Sequence, residues 1–295
     1  MIKLKTQFSF QTQTNNGTLY IVPTPIGNLD DITLRGLKTL KEVDIIAAED
    51  TRNTKKLLHY FEIDKQLMSY HEHNKVARES KMIDLLKSGS DIALVSDAGM
   101  PAISDPGYEI VKAAVEEDIH VVVLPGANAA LCALVGSGIS TKEFYFYGFL
   151  PRKKKDRDQE MDYLRTIRAT LLFYESPHRI NDTLEYLHKK LGNRDISIAR
   201  ELTKRFEEVV RGSLEEVIDW AKQATLKGEF CIVVEGNHEQ DSSSELLWWS
   251  NLSIEQHVNH YIEIENYKSK DAIKKVAEER KLPKREVYQD YHVKE

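Results

Sequence analysis

Five times between residues 18 and 135, a short apolar run stops in a polar, turn-rich stretch and a helical pattern follows. The runs cover residues 18–22, 44–48, 67–70, 92–95 and 120–124. Each is too short for an amphipathic helix and dominated by aliphatic and aromatic residues, which reads as a buried strand. A parallel strand pair needs a crossover, and a helix fills it, so this alternation predicts a parallel sheet covered on both faces. All the polar stretches then fall at strand carboxyl ends and share one crevice. Open α/β sheets bind their ligands at that edge.

The stretch after the fourth run is the most constrained. Asp97-Ala-Gly-Met-Pro-Ala-Ile-Ser-Asp-Pro-Gly107 holds two Gly, two Pro and two Asp before a helix resumes at Tyr108. Gly99 and Gly107 are free to take positive φ, and Pro101 and Pro106 stiffen the path. A surface loop rarely needs so many set dihedrals, so this one is read as a ligand loop. Pro23-Thr-Pro-Ile-Gly-Asn28 ends the first strand, and Pro125-Gly-Ala-Asn128 ends the fifth and opens a small-residue helix. Together the three loops offer backbone amides, small residues and apolar corners. That suits a nucleoside-bearing cofactor with a zwitterionic tail better than a bare phosphate, with the helix after Asn128 able to receive a carboxylate at its N-terminus.

The remaining helices of this first layer are predicted at 32–41, 54–61 and 76–87. Asp30 or Asp31 is expected to cap the first, with Leu34, Leu37 and Leu40 on one face. An aromatic strand at 144–149 leads into Leu150-Pro-Arg-Lys-Lys-Lys-Asp-Arg157, read as a junction between an N-terminal α/β domain (18–150) and a second one (151–236). The second has helices at 158–168, 179–190 and 214–223, and strands at 170–174, 195–199, 207–210 and 229–235. Residues 1–17 read as a loosely ordered leader and 237–253 as a flexible linker. A helical, basic extension follows over 254–295. Its clearest helix, at 270–280, breaks at Leu282-Pro283 and another begins at Lys284, the pattern of a helix-turn-helix unit. From Tyr267 to Glu295 nine Lys/Arg stand against six Asp/Glu.

Composition narrows the function classes. A net charge of −6 over 295 residues argues against a protein that coats nucleic acid everywhere, so a polyanion site must be local. The two cysteines, Cys132 and Cys231, sit in apolar segments and read as buried thiols. No window reaches the apolar length of a membrane span and residues 1–16 lack an apolar signal core, so the cytoplasm is expected. There is no G-x-G-x-x-G, no Walker A loop and no G-x-S-x-G elbow. His71-Glu-His73 has no further ligand cluster near it and reads as hydrogen-bonded rim residues, so no metal is expected. His257 and His260 read as solvated. The sequon-like Asn181-Asp-Thr183 has no meaning without secretion.

Seven blocks carry a resemblance: Leu19-Tyr-Ile-Val-Pro-Thr-Pro-Ile-Gly-Asn-Leu29, Ala47-Ala-Glu-Asp-Thr-Arg52, Ser69-Tyr-His-Glu-His-Asn74, Val95-Ser-Asp-Ala-Gly99, Ile103-Ser-Asp-Pro-Gly-Tyr108, Phe173-Tyr-Glu-Ser-Pro-His-Arg179 and Ala199-Arg-Glu-Leu-Thr203. In this order they resemble the signature blocks of the ribosomal RNA small subunit methyltransferase I family, a branch of the tetrapyrrole methylase fold. The likeness spans about residues 18–236, and the tail is similar to that family's C-terminal extension. Two departures stand out. Met100-Pro-Ala102 replaces a Thr-Pro-Gly common in the family, and Pro125-Gly-Ala-Asn128 replaces Pro-Gly-Pro-Ser.

The resemblance implies transfer of a methyl group from S-adenosylmethionine to the 2′-hydroxyl of a cytidine ribose in the decoding region of 16S rRNA. It implies a homodimer and a cofactor held between two domains. By position, it implies cofactor contacts at Pro25, Ile26, Asp97, Ala98, Gly99, Ser104, Asp105, Gly126 and Ala127, with Tyr174, Glu201 and Leu202 closing from the second domain. A sulfonium methyl is already activated, so in-line positioning is the main requirement. A ribose hydroxyl is a poor nucleophile, so a proton acceptor should help. The candidates at strand ends are Glu49, Asp50, His71, His73 and Glu201, with Arg52 or Arg200 to steady phosphates or an oxyanion. For RNA docking, Arg152, Lys153, Lys154, Lys155 and Arg157 would add a salt-sensitive phosphate term. Methylation of a small tetrapyrrole-like metabolite and non-catalytic ribosome-assembly binding are the alternative readings.

Overall fold

The computed structural model describes residues 4–8, 16–71, 75–237, 249 and 251–292. The chain divides into two compact units, Met1–Asn237 and His238–Glu295. Among the described residues no helix is long and apolar enough to cross a membrane.

The larger unit holds two five-stranded sheets. The first comprises β1 (Thr18–Ile21), β2 (Ile45–Ala48), β3 (Gln66–Ser69), β4 (Ile92–Val95) and β5 (His120–Val123) in the order β3-β2-β4-β1-β5. Every pairing in it is parallel. The helices between the strands are α1 (Leu34–Glu42), α2 (Thr51–Tyr60), α3 (Lys75–Lys87) and α4 (Tyr108–Glu116). Side chains alternate through the sheet with period two. Ile45, Ala47, Ile92 and Leu94 join Met82, Leu86 and Ile110 of α3 and α4, while Ile46, Ala48, Ala93 and Val95 join Leu40 and Leu58 of α1 and α2. Burial on both faces explains why these strands read as continuous apolar runs.

The second sheet comprises β6 (Phe144–Phe149), β7 (Thr170–Glu175), β8 (Asp195–Arg200), β9 (Glu208–Ser213) and β10 (Phe230–Val234) in the order β6-β7-β10-β8-β9. Only β6 and β7 run parallel. One face packs on α6 (Lys154–Leu164), α7 (Ile180–Leu191) and α8 (Leu214–Gln223) through Leu164, Leu184, Leu187 and Val217. The other face receives the fifth helix of the chain, α5 (Ala129–Ser137), whose Ala130, Ala133 and Leu134 lie against Leu172, Ala199 and Val233. Residues 129–149 were expected in the first layer, yet they belong to the second. The small residues of α5 let it sit close to the sheet, and the β6 backbone finds its hydrogen bonds on β7.

Several local expectations need correction. Thr33 caps α1, its side chain accepting from Gly36 N, whereas Asp30 and Asp31 lie in a 3-10 turn capped by Asn28. Leu34 is therefore solvent-facing, at 86% exposure. Residues 4–8 are docked: Lys5 pairs with Asp118 at 2.8 Å, and the Gln7 amide exchanges hydrogen bonds with the Val121 backbone at 2.9 Å each way. An open edge strand such as β5 leaves those backbone groups available. Lys154–Arg157 form the first turn of α6 instead of a junction coil, and Cys132 is exposed while Cys231 is buried. Most of the expected linker, and His73, lie outside the described residues.

The smaller unit contains α9 (Ile254–Glu263), α10 (Ser269–Arg280) and α11 (Lys284–His292) around Val258, Tyr261, Ile273, Val276 and Val287. His257, expected in solvent, is fully buried in that stripe. It is held 3.0 Å from Glu279, accepts from Arg280 Nε at 3.1 Å and stacks on Trp249 with ring centroids 5.1 Å apart.

Candidate functional site

The carboxyl ends of β1, β2 and β4 face the carboxyl ends of β7 and β8 and the start of β10 across a cleft of about 410 Å³. Two loops shape its first wall. Thr24 and Gly99 exchange backbone hydrogen bonds of 2.9 and 3.0 Å, tying the loop after β1 to the loop after β4. The Thr24 hydroxyl donates to Ser96 O at 3.1 Å, and the Ser96 hydroxyl donates to Gly99 O at 3.2 Å. The loop after β4 then passes through left-handed conformations at Gly99 (φ 80°), Ala102 (φ 68°) and Ser104 (φ 63°). Such conformations cost free energy in non-glycine residues and concentrate where a ligand or reaction needs a particular backbone path. Ala102 is an alanine holding a backbone conformation that favours glycine.

The second wall is similarly strained. Glu201 (φ 49°) and Thr203 (φ 67°) follow β8. Asn28 N donates to Thr203 Oγ1 at 3.0 Å, and a Cβ on Gly27 would lie 2.3 Å from Lys204 Cγ, so the two walls meet closely there. Glu175, at the end of β7, is almost fully buried. Its carboxylate accepts from Ser176 N at 2.8 Å and Thr183 Oγ1 at 2.7 Å, and Arg179 lies 3.6 Å away. That network sets the turn over Ser176 and Pro177, which line the cleft.

Of the residues expected to touch a cofactor, Ile26, Asp97, Ala98, Gly99, Ser104, Asp105, Tyr174, Glu201 and Leu202 all line this cleft. Pro25 does not; it lines a neighbouring hollow of about 330 Å³ with Asn53 and Leu57. Gly126 and Ala127 are also outside it. A Cβ on Gly126 would stand 2.6 Å from Pro23 Cβ, so that glycine serves loop packing. Asn128 and Ala129 line the cleft instead. Asn128 caps α5 by accepting from Leu131 N at 3.0 Å.

The acid-base candidates separate sharply. Glu49 lines the cleft, and burial followed by the nearby Asp97 charge pushes its carboxyl above the usual range, opposed by the charge of His71. Asp50 is the N-cap of α2 and lies outside the lining. Hydrogen bonds from the Arg52 side chain, then from its backbone, hold Asp50 down at about 2. Arg52 is correspondingly committed to Asp50, at 2.6 Å, although its side chain is exposed. Glu201 is held below the ordinary carboxylate range by Lys204, 2.8 Å away. His71 is half-buried outside the lining. Arg200 bonds to Glu208 at 2.6 Å and Thr225 O at 2.7 Å, a structural role.

Asp105 is the outlier. Burial, then the charge of Glu49, with Asp97 and Glu229 adding, lifts it to about 7, against a hydrogen bond with Ser96 that pulls the other way. Sequence reading missed this, since a carboxyl group between Ser104 and Pro106 shows nothing of its neighbours. It also missed Lys204, Glu229, Phe149 and Glu175 in the lining. The only signals were positional: Lys204 directly follows the Arg-Glu-Leu-Thr block and Glu229 precedes the last strand. No group of three or more His, Cys, Asp or Glu able to hold a metal ion is present among the described residues. Of the basic run, Arg152, Lys153, Lys154 and Lys155 are exposed just beyond Phe149, whereas the Arg157 guanidinium stacks 4.0 Å from the Tyr186 ring.

The cleft can hold a small molecule of nucleoside size: apolar surface from Ile26, Phe149 and Leu202 stands beside Asp97 and Glu49, which attract a cationic group. The model of the Tetrapyrrole (Corrin/Porphyrin) Methylases matches residues 18–218. A protein named Ribosomal RNA small subunit methyltransferase I from Halalkalibacterium halodurans is 57% identical over 98% of this chain and 99% of its own length. Among solved structures, diphthine synthase superposes with a TM-score of 0.60 at 16% identity, over 74% of this chain and 90% of that one. Uroporphyrin-III C-methyltransferase from Thermus thermophilus, complexed with S-adenosylhomocysteine, gives a TM-score of 0.53 at 16% identity, over 74% of this chain and 97% of its own.

Proposed function

Because this chain belongs to the ribosomal RNA small subunit methyltransferase I family, within the tetrapyrrole methylases, we propose that it methylates the 2′-hydroxyl of a cytidine ribose in the decoding region of 16S rRNA, with S-adenosylmethionine as donor. The observation that carries this reading is the likeness to that relative across nearly the whole chain. When bound, the cofactor supplies a methyl group already activated on a sulfonium.

The chain's own residues have three tasks. The first is to hold the donor: Ile26, Ala98, Gly99 and Ser104 from one wall, and Tyr174 and Leu202 from the other, line the cleft with backbone and apolar surface. Asp97 sits there as a fixed negative charge, its two oxygens accepting from Asp50 N at 3.1 Å and Asn53 Nδ2 at 3.0 Å. The second task is to exclude water, which the close meeting of Gly27 with Lys204 serves at one end. The third is to seat the RNA. Arg152, Lys153, Lys154 and Lys155 extend from the strand that brings Phe149 to the cleft, and phosphate contacts position a nucleic acid without reading its sequence. The homodimer belongs to this reading as well: Val123, Leu131 and Val135 leave apolar surface exposed, Val135 at 77%.

The test offers methyl-labelled cofactor with undermethylated small ribosomal subunits, naked 16S rRNA and a tetrapyrrole precursor in parallel. Label at a cytidine 2′-oxygen is the expected result. Label in the tetrapyrrole alone supports the small-metabolite alternative, and no cofactor binding by calorimetry supports a non-catalytic assembly factor.

A further inference from the structure

Beside the cofactor cleft lies the second hollow, of about 330 Å³, on the α2 side of the loop after β1. Asp97 lines both spaces, so its carboxylate stands in the partition between them. Pro25, Leu29 and Leu57 give the hollow apolar walls, and Asn53, Lys56 and Tyr60 add polar groups from α2. The spacing of residues 53, 56, 57 and 60 puts all four on one face of that helix. Lys56 and Tyr60 have no task in holding the donor.

These side chains suit a flat guest with a polar edge. Tyr60 is 61% exposed, and Phe61 braces its ring edge-to-face with centroids 4.9 Å apart. An exposed ring held in one orientation is a stacking platform for a nucleobase. Asn53 donates through Nδ2 to Asp97 Oδ2 at 3.0 Å. A carboxylate only accepts, so this bond sets the orientation of the amide and leaves the Asn53 carbonyl oxygen as an acceptor. No donor among the described residues takes that oxygen, and no carboxylate among them holds the Lys56 ammonium.

The geometry of a nucleotide supplies the link between the two spaces. The 2′-oxygen and the base of a ribose sit on adjacent ring carbons. A 2′-hydroxyl presented to a donor in the cleft therefore has its base a few ångströms away, and the hollow behind Asp97 is the adjoining space. A base held in its stack cannot enter such a hollow, so the target nucleotide must be turned out. Resting on the reading that an RNA ribose is the acceptor, we infer that the hollow receives the unstacked cytosine of the target nucleotide, with Tyr60 stacking on it and Asn53 and Lys56 reading its edge. Cytosine presents an amino donor at N4 and acceptors at N3 and O2. The Asn53 carbonyl accepts from N4, and the Lys56 ammonium donates to N3 or O2. Uracil has a carbonyl in place of the amino group, which sets two acceptors face to face at Asn53 and leaves both unpaired.

The experiment uses undermethylated small ribosomal subunits reconstituted with cytidine, uridine or 5-iodocytidine at the target position. Methylation kinetics are measured with the cytidine and uridine subunits, cofactor Kd by calorimetry, and the photo-cross-link of the iodinated base is mapped by mass spectrometry. Tyr60→Ala should raise the KM for cytidine subunits about tenfold, and Tyr60→Trp should restore it to within about threefold of wild type. Lys56→Ala should also raise KM, and both alanine variants should keep the cofactor Kd within about twofold. Asn53→Ala should lower the preference for cytidine over uridine about tenfold, which a merely structural role would not do. The iodinated base should cross-link within residues 53–60. Unchanged KM in both Tyr60→Ala and Lys56→Ala overturns the inference, as does an unchanged cytidine preference in Asn53→Ala. Weaker cofactor binding in Tyr60→Ala or Lys56→Ala overturns it by giving the hollow to the donor. A cross-link outside α2, with cytidine subunits still methylated, overturns the base subsite and leaves the methyl-transfer reading standing. A wild-type protein that methylates no subunit overturns that reading, and the subsite with it.

Discussion

Gly107 is where the cleft loop is most sensitive to a single methyl group. It sits at φ 150°, and a Cβ there would lie 2.9 Å from Ala102 Cβ and 3.0 Å from Leu94 Cδ2. Leu94 is a core residue at 1% exposure, so it has no room to retreat. Gly107→Ala combines about 1–3 kcal/mol of backbone strain with about 1–3 kcal/mol of overpacking, about 2–6 kcal/mol in all. Ala102 offers a way to separate the two effects. Its own left-handed conformation (φ 68°) disfavours alanine by about 1–2 kcal/mol, and the extra chain entropy of glycine returns about 0.5–1 kcal/mol of that. Ala102→Gly should therefore be neutral to about 1.5 kcal/mol stabilising. It also removes the nearer clash, so the double variant should recover about 1–2 kcal/mol beyond the sum of the single changes. Urea unfolding of the four proteins, followed by far-UV circular dichroism, closes this cycle, and cofactor calorimetry should show Gly107→Ala binding more weakly. Additivity within about 0.5 kcal/mol, or an unchanged Gly107→Ala, would refute the packing argument.

The other tests address charge and surface. Asp50 is held at about 2 by Arg52, below its ordinary value, so the stability it contributes is present above about pH 4 and is lost as pH falls toward 2. The midpoint of Asp50→Asn should accordingly depend less on pH over that range; parallel curves would count against the pair. Glu175→Ala should cost about 3 kcal/mol or more, by leaving Arg179 and the Thr183 hydroxyl without their buried acceptor, and Glu175→Gln should cost less. Replacing Arg152, Lys153, Lys154 and Lys155 with alanine should raise the KM for subunits and flatten its salt dependence, with cofactor affinity unchanged. Arg157→Ala should instead act on stability, because its guanidinium packs on Tyr186. The proposed homodimer should come apart in light scattering on Val135→Glu; a variant of unchanged mass would count against an interface at that helix face.

Pattern alone determined a good deal of this molecule. Residues 92–95 and 214–223 form elements with the predicted limits, and the parallel pairing of the first sheet follows from strand–helix alternation. Local periodicity and turn chemistry are properties of neighbouring residues, so they are visible in a linear string. The irregular loops at 23–28 and 97–107 were legible for the same reason, since Gly and Pro announce unusual dihedrals. What tertiary structure decided is whatever depends on residues far apart in the chain. β6 and α5 could have joined either layer, and the β7 edge with the small-residue contact to β8 and β10 drew them to the second. His257 became buried because the helices of its unit close around it. The acid-base character of Asp50, Glu201 and Asp105 separated most strongly of all: three similar carboxyl groups acquired Arg52, Lys204 and Glu49 as their respective neighbours. Ionisation is set by burial and by charges within a few ångströms in space, and only folding decides which charges those are.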